Sequence, residues 1–214
     1  MKKTKNSKTV KNKYGKRKVL TFGLMLMLGL CVTGCSSDHR DSEAEEGSSQ
    51  TVDDTAGSEE QGLALRSFEA LTLDGASFTQ EDLAQKDVTV INFWSTLCGP
   101  CLEEMPDIAK FEAALPDNVS LVTVCLDGLY DTERVEEILE EAGYEGITLI
   151  WGDGDFLNLC REILYTPTTI MVDQDGNMVG EVIIGGQWNL EETYTEAVNQ
   201  VLTAMGKAEI GNAE

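Results

Sequence analysis

The 214-residue sequence has a single histidine, His39, and only 16 Lys/Arg against 38 Asp/Glu. It also has only one C-x-x-C pair, Cys98-Gly99-Pro100-Cys101. A structural zinc site needs four ligands, so one such pair with no second pair and no nearby histidine excludes that use and leaves no expected metal. Basic residues are scarcer still past the N-terminus. Nine of the 16 lie within residues 2–18, so the chain after residue 34 keeps seven against all 38 acids and carries a net charge near −31. That field repels phosphate backbones and excludes nucleic acid as a partner. Long apolar runs are missing as well. The longest, Val19 to Val32, falls short of the roughly 18 residues needed to cross a bilayer.

A basic stretch followed by that short apolar run has the layout of an export signal. Its end, Val32-Thr33-Gly34-Cys35, resembles the bacterial lipobox. The resemblance implies that residues 1–34 are removed, Cys31 with them, and that Cys35 carries the lipid. Several acyl chains on one residue are enough for stable anchoring, since each buried methylene contributes ~0.8 kcal/mol. Residues 35–62 are rich in Ser, Gly, Asp and Glu and cannot bury enough apolar surface to offset chain entropy. They are expected to form a flexible acidic tether.

Apolar periodicity begins at Leu63, and residues 63–206 suffice for one core. There is no internal repeat. Residues 68–73 alternate as a strand, Asp74-Gly75 forms a turn before Phe78, and Thr79 is placed to cap a short helix. Residues 88–94, a near-continuous β-prone apolar run, read as a central strand covered on both faces. A helix over 99–115, interrupted by Pro106, and a strand over 119–126 follow. Val135, Ile138, Leu139 and Ala142 form a helical stripe between Asp131 or Thr132 and Gly143, ahead of a strand at 147–151. Phe156, Leu159, Cys160, Ile163 and Leu164 form another stripe. A hairpin spans Thr168 to Val172 and Met178 to Ile184, and a helix from Leu190 to Met205 ends the domain, with 207–214 as a disordered tail. This order predicts an α/β fold, a three-layer α/β/α sandwich around a mixed sheet.

The one C-x-x-C pair sits where the buried strand gives way to a helix. A cysteine at a helix N-terminus faces unpaired amide N–H groups and the positive end of the dipole, and both favour the nucleophilic thiolate. Cys98 is therefore the expected nucleophile. Cys101, one turn into the helix, is the expected resolving thiol.

The segment Phe93-Trp94-Ser95-Thr96-Leu97-Cys98-Gly99-Pro100-Cys101 resembles the thioredoxin active site, and Tyr165-Thr166-Pro167-Thr168 resembles that family's cis-proline loop. Within the superfamily the chain is most similar to the TlpA/ResA type of membrane-anchored bacterial thioredoxin-like lipoproteins. That resemblance implies an N-terminal hairpin extension at residues 66–78 and a helix-strand insertion at 132–150. It also implies substrate contacts at Trp94, Gly99, Pro100, Thr166 and Pro167, with Trp94 partly exposed. Cys101-Leu102-Glu103-Glu104-Met105-Pro106 reproduces a C-x-x-E-x-P pattern. By resemblance Glu104 acts near the cysteines, where a buried carboxylate of raised pKa could take the Cys101 proton; a surface Glu in an acidic protein is the plainer alternative. Asn92 stands where cytoplasmic thioredoxins have a buried Asp. Leu97 departs from the family, which has a larger residue before the first cysteine.

Cys125 and Cys160 read as ordinary buried thiols in preference to a second disulfide. The expected function is thiol-disulfide exchange on exported proteins without a cofactor other than the Cys98–Cys101 disulfide. Gly-Pro between the cysteines is shared with thioredoxin, a reductant of about −270 mV, which favours reduction of clients by a monomer recharged from a transmembrane thiol donor. Two other readings stay open. One is a peroxiredoxin-like peroxidase built on Ser95-Thr96-Leu97-Cys98, which a peroxide-consumption assay would detect. The other is a non-enzymatic lipid-anchored binding protein on the same scaffold.

Overall fold

A computed structural model describes residues 64–211. The segments read as an export signal and an acidic tether, with Cys35 between them, lie outside the described residues. The elements, in chain order, are β1 (Glu69–Thr72), β2 (Ser77–Thr79), α1 (Gln80–Leu83), β3 (Val88–Trp94), α2 (Gly99–Ala114), β4 (Val119–Cys125), α3 (Thr132–Ala142), β5 (Ile147–Gly152), α4 (Gly154–Glu162), β6 (Thr168–Asp173), β7 (Met178–Ile184) and α5 (Leu190–Ala204). A single 3-10 turn, Gly128–Tyr130, follows β4. The strands form one mixed sheet in the order β2-β1-β5-β4-β3-β6-β7. Strands β3, β4 and β5 are mutually parallel, while β6 runs antiparallel to β3 and β7 antiparallel to β6. The expected N-terminal hairpin is β1-β2, added antiparallel to the edge of the inserted strand β5.

Alternation along β3 sorts the core into two layers. Val88, Val90 and Trp94 face α2, α3 and α5, whereas Ile91 and Phe93 face α1, α4 and the N-terminal segment. This is the three-layer sandwich that the pattern predicts, in a thioredoxin-like arrangement. Local signals agree with it. Thr79 forms a capping box with Asp82, Asp131 accepts from the Arg134 N–H at the start of α3, and Gly143 ends that helix with φ +73°. Gly176, in the β6–β7 turn at φ +77°, lies so close to the N-terminal segment that a Cβ there would sit 2.2 Å from the Leu65 carbonyl oxygen. Only glycine admits that approach.

Three expectations need correction. Pro106 does not interrupt α2, which runs through it as one 16-residue helix. A proline costs one internal hydrogen bond, and Met105, Ile108 and Ala109, all buried beside it, hold the helix against the sheet. Residues 207–211 are not a disordered tail. Ile210 is buried, and the Asn199 side chain both accepts from its N–H (2.7 Å) and donates to its carbonyl (3.1 Å). Leu164 belongs to no apolar stripe, because α4 ends at Glu162 and Leu164 projects into solvent. Among the described residues no helix is long and apolar enough to cross a membrane.

Candidate active site

The functional end of the sheet is set by strand direction. The C-terminal ends of β3, β4 and β7 and the N-terminal end of β6 all point the same way, so the loops after Trp94, Cys125 and Ile184 and the loop before Thr168 share one edge. Cys98 emerges from the first of these loops. Its N–H donates to the Ser95 carbonyl (3.1 Å), its backbone is extended, and it forms the N-cap of α2. Its Sγ accepts the Cys101 N–H at 3.3 Å. The sulfur therefore occupies the place of a capping oxygen, and the Cys101 amide, a helix-end donor that would favour a thiolate, already points at it.

Cys98 and Cys101 are joined in a disulfide with their Cα atoms 5.2 Å apart. Cys98 is partly exposed, Gly99 and Pro100 are exposed, and Cys101 is only 1% exposed. An incoming disulfide can reach the first sulfur and not the second.

The cis-proline loop lies beside this pair. Phe93 is paired with Thr168 in the β3–β6 ladder, so Pro167 falls next to the end of β3. The Thr166–Pro167 peptide is cis, Pro167 is buried, and Thr166 is partly exposed. The Pro167 carbonyl accepts from the Gly185 N–H (2.8 Å), which ties this loop to the one after β7.

Glu104 is 5% exposed, on the same face of α2 as Cys101 three residues earlier. Its Oε2 accepts from the Gln187 backbone N–H (3.2 Å) in the loop after β7, and its Oε1 lies 3.4 Å from the Asn92 side-chain nitrogen. Burial pushes its pKa from the ordinary 4.5 to about 6. The Gln187 and Asn92 donors pull the other way, and Asp107 adds repulsion. The surface alternative for Glu104 does not apply.

Trp94 requires a correction. It is wholly buried at the end of β3, packed in the core layer with Cys101 and Met105, and contacts no solvent. Its even-numbered register puts it under α2, where it supports the cysteine pair from below. Exposed apolar groups near this edge include Leu97, Tyr130, Leu164, Tyr165 and Trp188, all outside the regular helices and strands and none among the expected site residues. Their signal in the sequence is weak, because an isolated apolar residue in a loop has no periodicity to report its direction.

Asp127 was likewise invisible in the pattern. It follows β4, the parallel neighbour of β3, and accepts the Thr96 N–H (2.9 Å), the Thr96 hydroxyl (2.6 Å) and the Cys125 thiol (3.2 Å). Burial alone would raise its pKa, but the Thr96 and Cys125 bonds hold the carboxyl below the usual range. Asp127 thus anchors the loop that delivers Cys98. Asp127→Ala is expected to lower stability by about 1–3 kcal/mol, because three donors lose a charged acceptor. A denaturant titration measures this, and an unchanged midpoint would show the anchor to be idle.

Cys125 and Cys160 are free thiols. Cys125 belongs to the layer under α2 and Cys160 to the layer under α4, so the sheet separates them. Burial raises both pKa values, that of Cys160 to about 12, and makes the pair poor nucleophiles. Among the described residues no cluster of His, Cys, Asp or Glu could hold a metal.

The chain is similar to known proteins in sequence and fold. The chain is 26% identical over 126 residues to Thioredoxin-like protein YneN of Bacillus subtilis, covering 59% of this chain and 72% of that one. It is 31% identical over 102 residues to Thiol-disulfide oxidoreductase YkuV of the same organism, covering 47% and 69%. The solved structure of MTB dsbF in mixed oxidized and reduced forms superposes with a TM-score of 0.53 at 26% identity, covering 65% of this chain and 98% of that one. Residues 58–196 match the family Redoxin. The chain that carries a cysteine pair at the head of α2 is thus similar in sequence and fold to thiol-disulfide oxidoreductases, and it belongs to the Redoxin family as a thioredoxin-like thiol-disulfide oxidoreductase.

Proposed function

We propose that the chain is an exported, lipid-anchored reductant of protein disulfides. The observation that carries the exchange chemistry is the asymmetry of the pair: Cys98 caps a helix at an exposed edge while Cys101 is buried. In the reduced protein the Cys98 thiolate attacks one sulfur of a client disulfide. That bond breaks, a Cys98–client bond forms, and the released client sulfur takes up a proton. Cys101 then gives its proton to Glu104 and attacks Cys98. The second client sulfur leaves as a thiolate and takes up a proton, the Cys98–Cys101 disulfide closes, and two electrons have passed to the client. No cofactor beyond the two sulfurs takes part.

Gly99 and Pro100, together with the free backbone at Thr166 beside Pro167, are the contacts for an extended client segment, which can pair there as an added strand. Leu97, Tyr165 and Trp188 offer it apolar surface. Such contacts favour disulfides of unfolded or partly folded exported proteins over small thiols. The basic and apolar N-terminal stretch and the lipobox-like Cys35 support an extracytoplasmic position, and a transmembrane thiol relay would return electrons to the pair.

The direction of flow is tested by equilibrating the Cys98/Cys101 couple with a thiol buffer. A potential near that of thioredoxin, about −270 mV, is expected. A value near −120 mV, that of a strong oxidant, would reverse the assignment.

A further inference from the structure

Asn92 occupies a position that the apolar pattern of β3 reserves for the core. It lies between Val90 and Trp94 on the face covered by α2 and α5, and it is fully buried. Its side-chain nitrogen has three acceptors in reach: the Thr169 hydroxyl on β6 at 2.9 Å, the Tyr194 hydroxyl on α5 at 3.3 Å and Glu104 Oε1 on α2 at 3.4 Å. An amide NH2 has two hydrogens. Three acceptors thus share two donors, and the carboxylate holds the longest contact. The two hydroxyls are themselves bonded at 2.6 Å, which fixes them as a unit beside the amide.

We propose that the Tyr194 and Thr169 hydroxyls are positioning groups that draw the Asn92 N–H bonds away from Glu104 and thereby set the proton affinity of the carboxylate. The proposal rests on the reading of Glu104 as the group that takes the Cys101 proton. A carboxylate that captured a full charge-assisted bond in this buried site would hold its ionised form too firmly to exchange protons near neutrality. Competition from neutral hydroxyls weakens that bond without introducing a charge. The direction is consistent with the raised pKa of Glu104, and with burial and the Glu104 charge together raising that of Tyr194. Asp107 on the same helix and Tyr194 are the ionisable groups that act on Glu104 beside the cysteine pair. Strands β3 and β6 contribute only the neutral Asn92 and Thr169, and the loop after β7 contributes the Gln187 N–H.

The test is the titration of the Glu104 carboxyl, followed by carbon-13 NMR in the full-length oxidised protein. In that state no turnover is needed, so the result is independent of whether Glu104 acts as a base. Tyr194→Phe and Thr169→Val are each expected to lower the midpoint by roughly half to one pH unit, since a full bond to a carboxylate is worth one or two. Thr169→Ser, which keeps the hydroxyl, leaves it in place. Asn92→Ala raises it, and Tyr194→Phe then has no further effect in that background. A Tyr194→Phe shift that persists at full size without Asn92 would mean simple hydration of the site and would overturn the proposal, as would an unchanged or raised midpoint in Tyr194→Phe. Should Asn92→Ala fail to fold, the Thr169→Val and Thr169→Ser pair decides: equal midpoints reject the competition, and a lower midpoint in Thr169→Val alone upholds it.

Discussion

Glu104→Gln is expected to stabilise the protein at pH 7 by up to about 2 kcal/mol while slowing its release of clients about 10- to 100-fold. The stability effect follows from linkage. The folded protein binds the Glu104 proton more tightly than the unfolded chain, with a pKa of about 6 against the ordinary 4.5. Between those values the folded state holds more protons, so stability falls as pH rises from 4.5 to about 6, and above that the whole penalty of a buried carboxylate is present. The interval converts at ~1.36 kcal/mol per pH unit to the figure above. Glutamine removes the charge and keeps the shape. Its carbonyl can accept the Gln187 N–H, and Asn92, whose Oδ1 has no partner, can turn that oxygen toward the new amide. Denaturant midpoints at pH 4 and pH 7 check this: the variant's advantage should appear only at the higher pH. The rate effect has the opposite sense because the ionised carboxylate is the proposed proton acceptor. Release in the parent protein should rise through pH 6, and in the variant that rise should vanish. Equal pH profiles in the two proteins would remove Glu104 from the chemistry and leave it a buried structural group.

Cys98→Ser is expected to reduce turnover of a protein disulfide on the order of 10³-fold or more, since a hydroxyl is a far weaker nucleophile and no other thiol at the site is exposed. Cys101 cannot substitute for it, being 1% exposed, and Cys125 is buried with its thiol donating to Asp127. An insulin-reduction assay measures the loss. Substantial residual activity in Cys98→Ser would place the reacting sulfur elsewhere.

Much of this architecture was legible in the sequence because its signals are local. The all-buried β3 is a nearly continuous apolar run, α3 has its N-cap aspartate and its terminal glycine, and the cysteine pair sits where strand passes into helix. What failed to show depends on tertiary packing. Trp94 ends a strand and adjoins the active cysteines, so its sequence position suits either a surface or a core role. The parity of β3 decides, because residues 88, 90, 92 and 94 face α2 and are covered. Leu164 fits a helical stripe in spacing, yet α4 ends two residues earlier and the loop before Pro167 turns it outward. Ile210 is a lone apolar residue in a polar segment and carries no period. Its burial depends on the two bonds to Asn199, eleven residues back. Tyr194 and Thr169 read as ordinary members of a helix stripe and a strand. Only the fold brings their hydroxyls to Asn92 from positions 102 and 77 residues away in the chain.

Everything functional here depends on Cys98 being the sulfur that meets a client. Full-length Cys101→Ser, in which the adduct cannot be resolved, tests this most directly when incubated with a disulfide-bonded protein and analysed by mass spectrometry of non-reduced peptides. The account predicts a dithiothreitol-reversible cross-link at Cys98 that is absent from the Cys98→Ser/Cys101→Ser double variant. A cross-link at Cys125 or Cys160, or none at all, would contradict it.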